Sequence, residues 1–556
     1  MVILKPQSDF GNAPPPQTPY SIISNLPGWG LLQNFRDGDM SAMARVVNIY
    51  PRFGPTQFAG KLGQEVAKRL GYEGKGCMVY LNPIMFPYTA GHVKNSHRNE
   101  AAIDPENLTF KCADVAGHRV YAVIFEPQHT KALMLSWGNP GLGLSIRIAE
   151  HLLSNIDTLV EVPFDDYKNP PKPTFTPAGP AHQLLRERVN KFIHRAAISP
   201  ELVKSKPDDV YLFPSGMASI YHTTNLIQQY RPGTNIVLGV VFHNTLHHLV
   251  EESPDGFKHF GKVDKQGLDD MEAWLEGETK EGRKVSFVIV EFPGNPTLES
   301  TDLPRLKTLS EQHGFVLIVD DTIAGFANVD VLAYSDLVLT SLTKSFNGRA
   351  DVLGGSIVLN PLSAHYGELS SRFAETHNNE LFAGDAEVIL ANSHDFLQRT
   401  RRLNRNAEAM AAFLHSTIGR DDSPVVRVQY PSLLADKANY DRFLRRSTVE
   451  LPNPGYGCLL NVEFESVATA IAFYDRCGFY SSPHLGGHVT IMLAYNMIMF
   501  GKKPEEKEEF RGYNALEESI RISAGLEDVE DLIDTLKDAL DAATEVKRKA
   551  TPNGTS

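Results

Sequence analysis

The chain has 556 residues, 42% of them hydrophobic and 22% charged, with a formal net charge of −13. That is enough apolar material for two to four domains. The acidity, with no long basic run or aromatic-basic interleaving, argues against a nucleic-acid surface.

Cys77, Cys112, Cys458 and Cys477 are widely spaced with no CxxC. Neither a disulfide framework nor a zinc site is expected, and a reducing compartment fits. The opening Met-Val-Ile-Leu-Lys-Pro stops being apolar too soon for a signal peptide, and no run approaches a membrane span. A soluble, cytoplasmic protein without membrane contact is expected.

In chain order, residues 1–19, rich in Pro, Gly and Gln, are expected to form a flexible arm. Residues 20–155 mix a strand-like run at 119–125 with a helix-like one at 142–156, which implies a separate α/β extension with no catalytic constellation. Gly141-Leu-Gly143 lacks the third glycine of a dinucleotide fingerprint and reads as a plain turn. Residues 156–177 end in a proline-rich connector, 169–177.

From 178 to 420, strands alternate with helices as a parallel sheet requires. In this span 398–418 is expected to be a helix whose Arg399, Arg401, Arg402 and Arg405 make a solvated basic face. A smaller α/β unit, 421–547, holds a strand at 457–464, a Gly486-Gly487 loop and a terminal helix from 528 to 547, before a tail at 548–556.

Four strand ends carry chemistry. After a strand at 209–213, Ser215-Gly216-Met217 opens an amphipathic helix reaching about Arg231; Gly216 permits close backbone approach, and first-turn amides make an anion site. Val285 to Glu291 is an apolar strand leading to Asn295, held between Pro293 and Pro296 and suited to a turn or to a ligand. Gly314 to Asp320 is a continuous apolar strand, buried on both faces, that ends in acid. There a carboxylate meets a cationic ring nitrogen, or else Asp321 or Thr322 caps a helix. Last, Ser341-Leu-Thr343-Lys344 puts a lone lysine behind two hydroxyl residues after a fourth strand. A phosphate cradle, Asn, Asp and Lys in that order, each where open α/β sheets bind ligands, describe a pyridoxal phosphate site.

Ser-Gly-Met-Ala-Ser-Ile (215–220), Glu291-x-Pro-x-Asn295-Pro296, Asp320-x-Thr322, Ser341-x-Thr343-Lys344 with Gly348, Asp351-Val-Leu-Gly-Gly355 and the 520–528 run around Arg521 resemble the cysteine and methionine metabolism branch of fold-type I pyridoxal phosphate enzymes. The likeness spans about 175–545 and is nearest to the long fungal cystathionine γ-synthases. Their N-terminal extension is also similar, at Ile49-Tyr-Pro-Arg-Phe53 and 137–147.

The resemblance implies an α/β fold of the aspartate aminotransferase type, with a mostly parallel central sheet, a smaller C-terminal α/β domain and an N-terminal α/β extension. It implies that Lys344 carries pyridoxal 5'-phosphate and shuttles protons, and that Asp320 keeps the ring nitrogen protonated. Ser215, Gly216, Met217, Ser341 and Thr343 hold the phosphate; Phe242 stacks on the ring; Thr322 adjoins the site; and Asn295 contacts the ring hydroxyl. Arg521 clamps the substrate carboxylate, the alternative being a surface salt bridge to Glu527 or Asp528. His243 and His247 have a zinc-compatible spacing but no evident third ligand, so no metal is expected.

The implied reaction is γ-substitution on an O-activated L-homoserine through a vinylglycine ketimine, in a homodimer or homotetramer. Three departures bear on the nucleophile. Phe242 stands where relatives carry a tyrosine. The Tyr-x-Arg that reaches a neighbouring subunit's phosphate is missing from its nearest segment, Phe175-Thr-Pro177. His484-Leu-Gly-Gly487 replaces Ser-Leu-Gly near the substrate carboxylate, making His484 a candidate to orient the acceptor. The nucleophile is a thiol such as cysteine or a carbon acid such as a β-keto acid in secondary metabolism. A sulfur amino-acid lyase and an inactive paralogue acting as a binding subunit are the other readings.

Overall fold

The computed structural model describes residues 2–39, 41–95 and 101–550. Three sheets organise these residues. The central one has seven strands in the order Val210–Phe213, Gly355–Leu359, Leu337–Thr340, Val316–Asp320, Val285–Glu291, Thr234–Leu238, Phe257–Phe260. All run parallel except Gly355–Leu359, which is antiparallel to both neighbours.

The strands are apolar on both faces because helices cover both. Phe287, Ile289, Val316 and Ile318 enter one core cluster, while Val288, Val290, Leu317 and Val319 enter the other. That period of two turns a continuous hydrophobic run into two buried faces, each side chain contributing roughly 1.5–3 kcal/mol of burial.

A five-stranded sheet in the order Val425–Gln429, Leu459–Phe464, Ser519–Ser523, Ile491–Leu493, Tyr480–Ser481 forms the C-terminal unit, in which the Val529–Ala550 helix packs on the helices Val467–Arg476 and Phe396–His415. The N-terminal sheet has the order Gly76–Tyr80, His118–Phe125, Thr109–Val115, Val160–Val162. Its fourth strand comes from the segment expected to be connector: Cys112, Ala113 and Asp114 pair with Val162, Glu161 and Val160. Residues 142–145 are not helical; the helix is Ile146–Ser154, started by the Ser145 hydroxyl accepting from Ile148 N–H.

Three further expectations are corrected. Residues 2–19 are not a free arm: Leu4 N–H donates to Thr535 Oγ1 (2.9 Å), Gln7 N–H to Tyr480 Oη (3.0 Å) and Ala13 N–H to Asn48 Oδ1 (3.0 Å), and Ala13 is buried. Proline and glycine here make an extended strap whose amides are satisfied by other elements. Second, the helix Phe396–His415 exposes Arg401, Arg402 and Arg405 but buries Arg399. The expected tail begins inside the terminal helix, which continues to Ala550; residues 551–556 lie outside the described ones. Among the described residues no helix is long and apolar enough to cross a membrane, and no cluster of His, Cys, Asp or Glu could hold a metal ion.

Candidate functional site

The strand order puts the four chemical strand ends on one edge of the central sheet, because all four strands run in the same direction. One cavity opens there. Ser215, Gly216, Met217, Phe242, Asn295, Asp320, Thr322, Ser341, Thr343 and Lys344 all line it.

At one end the helix Gly216–Tyr230 begins. Ser215 caps it, its hydroxyl accepting from Ala218 N–H (3.0 Å). The amides of Gly216 and Met217 then have no acceptor within the helix. A Cβ on Gly216 would stand 2.8 Å from that of Ser341, so only glycine lets these two segments meet.

Asp320 is buried at the end of its strand, in register with Glu291 on the neighbouring one. Burial raises both carboxyls above the ordinary range, Glu291 further through the charge of Asp320 beside it. Asp320 Oδ1 accepts from Thr322 N–H (2.9 Å), and Thr322 Oγ1 accepts from Ser341 N–H (2.8 Å), tying the two strand ends together. Glu291 Oε1 takes the Phe242 amide at 2.6 Å, which fixes that ring over the cavity.

Lys344 Nζ lies 3.3 Å from Tyr50 Oη and 3.4 Å from His484 Nδ1. Burial and the nearby Arg521 and Arg52 hold its pKa below that of an ordinary lysine, Tyr50 acting in the opposite sense. Arg521 is buried rather than at the surface: Nη1 donates to Asn295 Oδ1 (2.9 Å) and Nη2 to Pro483 O (2.9 Å). Glu527, its suggested salt-bridge partner, instead accepts from Thr490. His484 is buried and strongly biased to the neutral form, by desolvation first and then by Lys344 and Arg521. Its Nε2 has no hydrogen-bond partner among the described residues.

Two expected phosphate contacts are committed elsewhere. Thr343 Oγ1 donates to Gly354 O (3.1 Å) and accepts from Gly354 N–H (3.0 Å), so it braces the turn bearing Lys344. Ser215 Oγ donates to Gly141 O (2.8 Å).

Tyr50 and Arg52, from the N-terminal unit, also line the cavity. Tyr50-Pro51-Arg52 thus brings a tyrosine and an arginine two positions apart to the cavity, which residues 175–177 do not line. Arg52 is buried with its guanidinium 5.4 Å over the Phe242 ring, and its Nε has no hydrogen-bond partner among the described residues. Burial lowers its pKa to about 10, opposed by Tyr50 and Tyr495. Arg399, expected on a solvated face, is instead buried beside the site. It donates to the carbonyls of Ser345 (2.8 Å), Phe346 (2.9 Å) and Asn392 (2.8 Å), holding the turn just after Lys344.

A buried arginine with an unpaired Nε, a glycine-floored helix start, a buried carboxyl and a desolvated amine line one cavity and fit pyridoxal phosphate, whose dianion, ring nitrogen and aldehyde need such partners.

Residues 201–541 match the family model described as Cys/Met metabolism PLP-dependent enzyme. A cystathionine gamma-synthase-like enzyme of Amanita muscaria is 30% identical, covering 96% of this chain and 96% of its own. An alanine racemase of Aspergillus violaceofuscus is 33% identical over 77% of this chain and 74% of its own. The solved cystathionine gamma synthase of Xanthomonas oryzae pv. oryzae shares the fold, with a TM-score of 0.53 at 24% identity over 66% of this chain and 87% of that one.

Proposed function

Because this chain belongs to the pyridoxal-phosphate-dependent enzymes of cysteine and methionine metabolism, we propose that it carries out γ-substitution on an O-activated L-homoserine. The observation that carries this reading is Lys344, a desolvated amine lining a cavity that also presents the buried Asp320 carboxyl and the buried Arg52 guanidinium.

The cofactor supplies an electron sink for charge that develops at the substrate's carbon atoms. Arg52, the amides of Gly216 and Met217, and Ser341 would hold its phosphate, while Phe242 would cover its ring. Asp320 would keep a proton on the ring nitrogen, and Asn295, anchored by Arg521, would bind the ring hydroxyl. Lys344 would anchor the cofactor and, as a free amine once substrate is bound, would take a proton from the substrate Cα and return it further along the chain. Its depressed pKa suits that work, because a neutral amine is the competent base near neutrality. Arg521 binds the substrate carboxylate, and its planar fork fixes the Cα–H bond relative to Lys344.

A carbon nucleophile is the second reading, supported by Phe242 and by the unpartnered Nε2 of His484. Purified protein should show a visible cofactor band, whose absence would favour an inactive binding subunit. Assays with acetyl-, succinyl- and phospho-homoserine against thiols and β-keto acids test the reaction. The reading fails if no ester yields either a substitution product or 2-oxobutanoate.

A further inference from the structure

Behind the cavity a buried tyrosine joins the C-terminal unit to the cofactor domain. Tyr495 opens the helix Tyr495–Phe500 and follows the strand Ile491–Leu493, in which Leu493 stands opposite Arg521 in the antiparallel ladder. That register sets phenol and guanidinium side by side: Arg521 Cζ stands 4.3 Å from the centre of the Tyr495 ring. Both residues are buried, so the cation meets the ring face with little water between or around them.

The far end of the ring meets the cofactor domain. Tyr495 Oη lies 3.1 Å from His243 Nδ1 and accepts from His243 N–H (3.4 Å) and Asn295 Nδ2 (3.5 Å). His243 N–H starts the helix His243–Glu251, where an amide has no acceptor within the helix. With both of those groups donating, the phenol proton is left for His243 Nδ1, the shortest of the three contacts. Burial raises the Tyr495 pKa, so the phenol keeps that proton.

Asn295 closes the set. Its Oδ1 accepts from Arg521 Nη1 (2.9 Å) while its Nδ2 faces Tyr495, so the amide is fixed from both ends. One Nδ2 hydrogen is engaged in this way, which leaves the second for the cavity that Asn295 lines. Arg521 is in turn held on two edges and one face: Nη1 by Asn295, Nη2 by Pro483 O (2.9 Å) and the face by Tyr495. The hydrogen bonds of a guanidinium lie in its plane, so whatever fixes that plane fixes where a carboxylate can bind.

We propose that Tyr495 is the positioning residue of the carboxylate site: its ring sets the plane of Arg521, and its hydroxyl ties Asn295 to the helix that starts beside Phe242. This rests on the reading of Arg521 as the group that binds the substrate carboxylate. The ring governs recognition of that carboxylate, and the hydroxyl governs the N–H that Asn295 offers the cofactor.

The test uses the full-length protein loaded with pyridoxal phosphate and two probes without a leaving group, L-2-aminobutyrate and propylamine, which differ only by the carboxylate. Calorimetry gives their dissociation constants, and the pH midpoint of the cofactor's visible band is titrated without either. Tyr495→Leu should lower the preference for L-2-aminobutyrate over propylamine roughly 10- to 30-fold, the loss of a desolvated cation–π contact. Tyr495→Phe retains the ring and should retain most of that preference. It should instead raise the pH midpoint, because an Asn295 held less firmly gives less support to the negative charge on the ring oxygen. Equal weakening of both probes in a folded Tyr495→Leu would overturn the proposal, since a merely structural tyrosine does not distinguish them. An unshifted midpoint in Tyr495→Phe would also overturn it, and that measurement decides alone if circular dichroism shows the leucine variant unfolded. Arg521→Lys is the control: an intact preference there would sink the carboxylate reading itself, a separate result.

Discussion

Lys344 and Tyr50, 294 positions apart, meet with Nζ 3.3 Å from the phenol oxygen and 5.1 Å from the ring centre. Each perturbs the other. Burial works to raise the Tyr50 pKa, but the charges of Lys344 and Arg52 outweigh it and the net shift is downward. For Lys344, burial lowers the pKa while Tyr50 raises it, and burial wins. Tyr50→Phe removes the opposing contribution, so the lysine should lose its proton at lower pH. With apo protein, the pH midpoint for cofactor attachment should move down. An upward shift or no shift would mean that the phenol does not govern this amine.

Lys344→Ala should abolish covalent attachment and nearly all turnover, because the one amine both anchors the cofactor and moves the proton. Asp320→Asn should leave the fold intact, since an amide oxygen can still accept from Thr322 N–H. It should slow exchange of the substrate Cα–H with solvent deuterium by orders of magnitude, because a neutral amide cannot hold a proton on the ring nitrogen. Unchanged exchange would remove Asp320 from the site.

Arg521→Lys keeps the charge and loses the fork. Nη1 to Asn295 and Nη2 to Pro483 cannot both be replaced by one ammonium. The KM for the amino-acid substrate should rise by about 10- to 100-fold, the loss of one charge-assisted contact at roughly 1.5–3 kcal/mol. The kcat should fall less if the contact is equal in ground and transition states. An unaltered KM would assign Arg521 to structure alone.

The four strand ends were legible because each is local: an apolar run, then an acid, a lysine, a capped glycine or a proline-flanked Asn, all within a dozen residues. What stayed hidden depends on contacts across the fold. Tyr50-Pro51-Arg52 carries the same residue types as the motif sought at 175–177, but only packing against Trp137 and Gly138 brings it to the cavity. Arg399 looked like its solvated neighbours because a helical period does not say which arginine meets three carbonyls. The Thr343 hydroxyl stood at the right place in the motif, yet the Gly354 backbone already occupies it. The strap at 2–19 has the composition of a disordered arm, and only its partners in the C-terminal unit and at Asn25 and Asn48 order it.

With Tyr50 and Arg52 in place, Phe242 and His484 remain as the departures that bear on the nucleophile. Phe242 keeps the stacking surface and loses a hydroxyl. His484 Nδ1 faces Lys344, so with the lysine N–H donating, the proton of the neutral imidazole sits on Nε2, which has no partner among the described residues. A buried N–H left unpaired is costly, and a carbonyl or carboxylate oxygen on an incoming carbon acid would satisfy it. Without a nucleophile, the enzyme should then release 2-oxobutanoate and ammonia from an activated homoserine, water draining the activated four-carbon chain. Cysteine should divert little of that flux and a β-keto acid more. His484→Phe, which fills similar space without a donor, should reduce the β-keto acid product several-fold while 2-oxobutanoate release persists. Conversion of cysteine to cystathionine at a kcat/KM well above that for any carbon acid would sink this account, and His484 would then be a packing residue beside Lys344.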